Sequence, residues 1–114
     1  MEKTLFQKIA DKEIPSDMVY EDDLCVAFRD ITPVAPTHIL LVPRKPLRDV
    51  AAATPEDAAL LAHLLLKVGE IARAEGLEEK GFRTVINTGA DAGQTVPHLH
   101  LHIIGGRSMQ WPPG

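Results

Sequence analysis

The stretch Val96-Pro97-His98-Leu99-His100-Leu101-His102-Ile103-Ile104-Gly105-Gly106 decides how the rest of this chain is read. Its histidines fall at every second position, and the residues after them are leucine or isoleucine. Side chains alternate across an extended backbone. The pattern therefore predicts a strand with His98, His100 and His102 on one face and Leu99, Leu101 and Ile103 on the other. Pro97 lacks an N–H and is expected at the first residue of that strand. Two rises of ~3.3 Å put alternate imidazoles about 6.7 Å apart along the backbone, a spacing that can surround one phosphoryl group or one metal ion. A single histidine on a sheet face is usually a hydrogen-bonded polar group and no more. Three in register point to chemistry, because imidazole titrates near neutrality and serves as nucleophile, base, acid or ligand. Spacing alone does not choose among these roles.

With 114 residues the chain is expected to form one domain over 1–114, large enough to bury a core without covalent staples. Its single cysteine, Cys25, excludes an intrachain disulfide and fits a reducing compartment. The flanks Leu24 and Val26 suggest a buried strand thiol. The net charge is −4, and no run of lysine and arginine forms a basic stripe, which argues against nucleic acid as a partner while leaving small anions open. No segment approaches the ~20 apolar residues of a membrane span, and the first residues lack the apolar core of a signal peptide. A cytoplasmic protein with no membrane partner is the expectation.

Outward from the histidines, Thr4 is a plausible N-cap for a short helix through Lys12, with Leu5, Phe6 and Ile9 on one side. Residues 19–28 read as two strands around an acidic turn at Glu21 to Asp23, and 38–43 as a third strand closed by Pro43. Asp30 lies where an apolar run breaks; ligand contact and turn stabilisation both suit it. Thr54-Pro55-Glu56-Asp57 starts a helix expected to run to about Glu75 and to stop at Gly76. That helix carries more leucine than one sheet-facing stripe requires, so a second face is expected to meet a partner subunit. His63 within it is read as structural. A fourth strand is expected over 82–87, followed by a polar loop over 88–95. Gly89 and Gly93 let backbone N–H groups approach an anion, and Asn87 and Thr95 add polar side chains, so the loop reads as a phosphate cradle. The tail Trp111-Pro112-Pro113-Gly114 cannot extend a helix or sheet and must lie over something.

The sequence His98-Leu99-His100-Leu101-His102-Ile103-Ile104 resembles the signature of the histidine triad superfamily. Glu13-Ile14-Pro15, Glu21-Asp22-Asp23, residues 27–31 and 35–38, the loop 87–93 and the tail from Gly105 to Gly114 resemble its nucleotide-binding protein branch. The tail and the region around Asp30 separate that branch from the diadenosine polyphosphate hydrolases. The resemblance implies an α+β fold with a five-stranded antiparallel sheet, one long and one short helix, and a homodimer whose sheets join. It implies a purine nucleoside phosphoramidase acting on AMP or GMP phosphoramidates, with no cofactor and no metal. By matching position His100 would be the nucleophile, forming a nucleotidyl-histidine, and His98 and His38 would orient it. His102, Asn87, Gly93, Gln94 and Thr95 would contact the phosphate or the leaving group. Asp30 would accept from the ribose hydroxyls, with Ile31, Phe6, Ile9, Ile14 and Phe28 about the base. Residues 107–114, Trp111 above all, would lie near the partner's active site. Two positions depart from the pattern: Thr95 stands where many relatives have serine, and Pro46 where many have a histidine assigned to a proton relay.

Two readings from other classes compete. Three histidines plus His38 could ligate zinc through neutral imidazoles, although the sequence has no HExxH helix and no second cysteine. A nucleotide-binding regulatory protein with incidental hydrolysis would use the same residues as the enzyme.

Overall fold

The computed structural model describes residues 2–114. The chain forms α1 (Leu5–Ala10), β1 (Met18–Glu21), β2 (Cys25–Arg29), β3 (Thr37–Pro43), α2 (Ala58–Ala74), β4 (Phe82–Val85) and β5 (Leu101–Gly105). The five strands make one sheet in the order β1-β2-β3-β5-β4, and every neighbouring pair is antiparallel. The α+β architecture is the one expected, with one long helix.

Both helices end in the same way. In α2 the N–H of Gly76 bonds the Arg73 carbonyl and the N–H of Leu77 that of Ala72, with Gly76 at φ +74°. This Schellman turn requires a left-handed residue, which glycine adopts without a Cβ penalty. In α1 the corresponding bonds run from Lys12 to Ile9 and from Glu13 to Lys8, and the left-handed residue is Lys12 at φ +62°. The helix therefore stops at Ala10, two residues before the expected end at Lys12. A lysine gives no sequence signal for that stop. At the start of α2, Thr54 and Asp57 form a capping box, but Pro55–Asp57 is a 3₁₀ turn and the α-helix proper begins at Ala58.

The sheet separates two apolar clusters. On one face Leu64, Val68, Ile71 and Ala72 of α2 recur at helical spacing and pack on Cys25, Ala27, Ile39, Leu41, Leu99, Leu101 and Ile103. Leu64 has no exposed surface, so its truncation to alanine would cost about 2–5 kcal/mol. On the other face Phe6, Ile9 and Ala10 of α1 cover Val26, Phe28, Leu40 and Val42. Arg29 closes the end of β2 onto α2 through a bidentate pair with Glu75, at 2.9 and 3.1 Å.

The histidine strand is shorter than the alternation suggests. It begins at Leu101, because residues 96–98 turn, Pro97 supplies no N–H, and the Leu99 amide bonds the Leu47 carbonyl outside the sheet. Pro97 is thus not the first residue of the strand. β4 likewise ends at Val85, opposite His102, rather than at residue 87. The alternation persists all the same: Leu99, Leu101 and Ile103 enter the α2 cluster, while His98 and His100 lie against Phe6 of α1.

Candidate active site

Each histidine of the row has its tautomer fixed, directly or through a neighbouring ring, by a backbone group that can play only one role. His98 is fully buried, and its Nε2 lies 2.8 Å from the Pro43 carbonyl, which can only accept. The proton is therefore on Nε2, and Nδ1 receives the Thr4 hydroxyl at 3.0 Å. Thr4 at the same time caps α1, accepting from the Gln7 amide at 3.1 Å. His100 Nδ1 lies 2.7 Å from the His98 carbonyl, so it carries the proton and Nε2 keeps a free lone pair. Phe6 meets the His100 ring edge-on at 4.8 Å between centroids.

His38 is fixed from the other direction. The Val34 amide can only donate, and it does so to His38 Nδ1 at 3.1 Å. The His38 proton is then on Nε2 and is donated to His102 Nδ1 at 2.9 Å. His102 must in turn carry its proton on Nε2, a buried atom with no partner among the described residues. Burial holds the His98 and His38 imidazoles below the ordinary histidine range, and pushes His102 down to about 4 with help from His100 and His38 nearby. These three rings are thus neutral at pH 7. The ring centroids of His100 and His102 are 5.0 Å apart, closer than the backbone spacing alone suggests. One ring offers a lone pair and its neighbour a proton.

The remaining expected residues divide. Asp30 does two things: Oδ1 accepts from the Thr32 amide at 2.8 Å, stabilising the turn, and Oδ2 lies 3.4 Å from His38 Nε2. Phe6, Ile9 and Phe28 belong to the α1-side cluster, and Ile14 packs against it. Ile31 is 96% exposed, outside both apolar clusters. Gln94 braces the loop: Nε2 donates to the Arg48 and Val96 carbonyls and Oε1 accepts from the Gly89 amide. Gly93, at φ +83°, ends the 3₁₀ turn Ala90–Ala92. Gln94 and Thr95 line a hollow of about 410 Å³ with Arg48 and Asp49. Asn87 is half-buried. Trp111 is 83% exposed. His63 lies 2.7 Å from Asp22, which ties α2 to the β1–β2 turn and agrees with a structural reading. Cys25 is a buried strand thiol, pushed up to about 12 mainly by burial.

Four positions that matter escaped the sequence. Thr4 was readable as a cap but not as the partner of a histidine ninety-four positions away. The carbonyls of Pro43 and His98 and the amide of Val34 act through the backbone, which carries no residue-type signal. The zinc reading also changes. Both ring nitrogens of His98 are engaged, and the group whose ligand atoms converge is Asp30, His38 and His102, without His98 or His100, so the four histidines do not assemble around one ion. Asp22, Cys25 and His63 form a second convergent group. No helix among the described residues is long and apolar enough to cross a membrane.

Comparison with known proteins agrees with this geometry. An uncharacterized HIT-like protein of Synechocystis is 61% identical over 99% of this chain and 98% of its own length. The crystal structure of a HIT family hydrolase from Legionella pneumophila superposes with a TM-score of 0.96 at 48% identity, covering 98% of this chain and all of that one. A histidine triad nucleotide-binding protein from Candida albicans superposes with a TM-score of 0.82 at 29% identity, over 96% of this chain and 83% of that one. The HIT domain family model matches residues 11–109, a span that holds His38, the whole histidine row and all five strands, and the chain therefore belongs to the HIT domain family.

Proposed function

We propose that this protein is a nucleotide hydrolase that cleaves purine nucleoside 5′-phosphoramidates, such as those of AMP or GMP, to the nucleoside monophosphate and an amine. The observation that carries the reading is the Nε2 lone pair of His100, left unengaged because the ring proton sits on Nδ1 and is donated to the His98 carbonyl. Two solved relatives are themselves described as HIT family hydrolases, from Legionella pneumophila and Clostridium thermocellum, which supports hydrolysis as the class.

In this reading His100 Nε2 attacks the α-phosphorus, the P–N bond breaks, and the amine departs with the electron pair and a proton. The amine takes that proton from solvent, the phosphorylated ring stays cationic with Nδ1–H on the His98 carbonyl, and the water that attacks next gives a proton back. His102 Nε2–H, the buried donor without an internal acceptor, serves the phosphoryl oxygen as charge develops. Water then attacks the nucleotidyl-histidine. Dividing one displacement into two is what a covalent intermediate accomplishes. Asp30 accepts from the ribose, Phe6, Ile9, Ile14, Ile31 and Phe28 surround the base, and Asn87, Gly93 and Thr95 meet the phosphate, with Gln94 holding that loop in shape. Pro46 cannot relay a proton; the chain Val34–His38–His102 supplies fixed proton positions without it. A homodimer is part of the proposal: β4 is a sheet edge, and Leu65 and Leu66 of α2, Phe82 of β4 and Ile86 just after it are exposed, which suits a second copy. Trp111 would then reach the partner's leaving-group side.

Mass spectrometry of the protein mixed with adenosine phosphoramidate tests the reading. A covalent adenylyl adduct on His100 is expected, with loss of the adduct and of turnover by on the order of 10⁴-fold or more in His100→Ala. An adduct on His98 or His102, or full turnover without His100, would overturn it. Binding of AMP with no turnover of any phosphoramidate would favour the regulatory reading instead.

A further inference from the structure

The hollow of about 410 Å³ has Arg48 and Asp49 on one wall and Gly89, Gln94, Thr95 and Pro97 on the other. Hydrogen bonds stitch it to the histidine row. The Leu99 amide donates to the Leu47 carbonyl at 2.6 Å, and Gln94 Nε2 donates to the carbonyls of Arg48 and Val96 at 2.9 and 3.0 Å. Arg48 and Asp49 therefore run alongside the residues that lead into His98 and His100. No side chain assigned to the ribose or the base lines this space, and neither do Leu65, Leu66, Phe82 or Ile86, the face given to a second copy. Thr95, which meets the phosphate in the hydrolase reading, does line it. A substrate whose phosphoryl group lies at Thr95 thus has its nucleoside toward α1 and this hollow for what remains, the amine.

The two charges of the hollow are not equally placed. The Asp49 side chain is 8% exposed and that of Arg48 68%. Asp49 is engaged internally: Oδ1 accepts from the Ala52 amide at 2.9 Å, capping the 3₁₀ turn Val50–Ala52, and Oδ2 accepts from Arg48 Nε at 3.0 Å. Arg48 gives only that one of its five N–H donors to a described residue. With Nε held by the buried acid, the Nη hydrogens are left for a ligand, and one from each Nη can meet a carboxylate in two parallel bonds. A cationic group entering the hollow would find its one carboxylate buried and already accepting on both oxygens.

We propose that Arg48 selects the leaving group: the amine released by this protein carries a carboxylate, as an amino acid joined to phosphorus through its amino nitrogen does, and Arg48 binds that carboxylate in the hollow. Asp49 acts through Arg48, fixing its guanidinium. The inference rests on the hydrolase reading for the bond that is cleaved and adds which amines lie on its far side.

Adenosine 5′-phosphoramidates of glycine, β-alanine and γ-aminobutyrate, each compared with its neutral carboxamide, test the assignment. kcat/KM is measured on the parent chain, and Kd by calorimetry on His100→Ala, which cannot form the adduct. A preference for the carboxylate of about tenfold or more is expected at one or more spacer lengths, the range of a charge-assisted contact. Arg48→Gln should bring that ratio to about one, and Arg48→Lys, which keeps the charge without the fork, should retain part of it. Each result is a ratio of two compounds on one protein, so a general loss in a variant cancels. Equal kcat/KM and Kd for acid and amide at every length, or a preference that survives Arg48→Gln, would overturn the inference. A carboxylate preference in the Kd of His100→Ala that disappears in Arg48→Gln/His100→Ala, with no turnover of any of these compounds by the parent chain, would overturn the hydrolase reading and leave the Arg48 subsite standing.

Discussion

The two ends of the histidine row are held by different kinds of partner. His98 and His100 give their protons to main-chain carbonyls, which cannot rotate away, and the end result is a lone pair left on His100 Nε2. His38 and His102 are fixed from a main-chain amide, and that chain of donors finishes as a buried proton on His102 Nε2. The repeated His-apolar unit is symmetrical in sequence. Its chemistry is not, because the direction of each hydrogen bond is set by what the neighbouring backbone offers. A nucleophile and a donor whose rings are 5.0 Å apart result from three copies of one residue type.

The sharpest way to separate the two ends is kinetic. His102→Ala should keep the capacity to form the His100 adduct but slow both its formation and its hydrolysis by about 10²–10³-fold, the usual consequence of removing one donor from a developing oxyanion. Rapid-quench measurement of the two steps checks this. A loss confined to one step would mean that His102 serves the amine or the water rather than the phosphoryl oxygen.

A smaller effect should appear in stability against pH. His102 is pushed down to about 4 in the folded chain from an ordinary value of 6.5. Above pH 6.5 folded and unfolded chains both hold the ring neutral. As the pH falls below 6.5 the unfolded chain takes up a proton that the folded chain refuses, and the loss is complete once the pH passes about 4. The expected decline is up to about 3 kcal/mol from His102, in a window above that of the carboxylates, with further loss from His98 and His38. Urea denaturation from pH 7 to 4 should show this slope, and His102→Gln should flatten it.

The smallest effect tests the His98 end. Thr4→Val removes both the cap of α1 and the hydroxyl that donates to His98 Nδ1, at a cost of about 2 kcal/mol. Thermal unfolding should fall by roughly 8 °C at this chain length, with Thr4→Ser close to the parent. If Thr4→Ser matched the valine variant, the methyl group rather than the hydroxyl would be what matters.

Much of the fold was legible because apolar residues betray which side of a strand or helix faces the core. Leu64, Val68 and Ile71 announce one face of α2, and Gly76 its end. The alternation of histidine and leucine was legible even where the ladder does not extend, since Leu99 is drawn into the core beneath α2 although it precedes β5. Boundaries were less so. Lys12 in a left-handed turn and the Leu99 amide bonded to Leu47 depend on geometry that residue type does not encode. Within the site, the residue types that do chemistry were readable, whereas the tautomers were not, because Pro43, Val34 and Thr4 reach the histidines across long separations in the chain. Asp30 shows the limit from another side: the two roles that its sequence context allowed are both present in one carboxylate.

Cys25 gives the molecule a clock of its own. The thiol has no exposed surface, donates to Asp22 at 3.4 Å and is pushed up to about 12, so at neutral pH it is neither reachable nor ionised while the chain is folded. It is also the sole thiol. Any alkylation therefore records an opening of the sheet beneath α2, and the rate at which a maleimide or iodoacetamide label accumulates under native conditions counts those openings one molecule at a time.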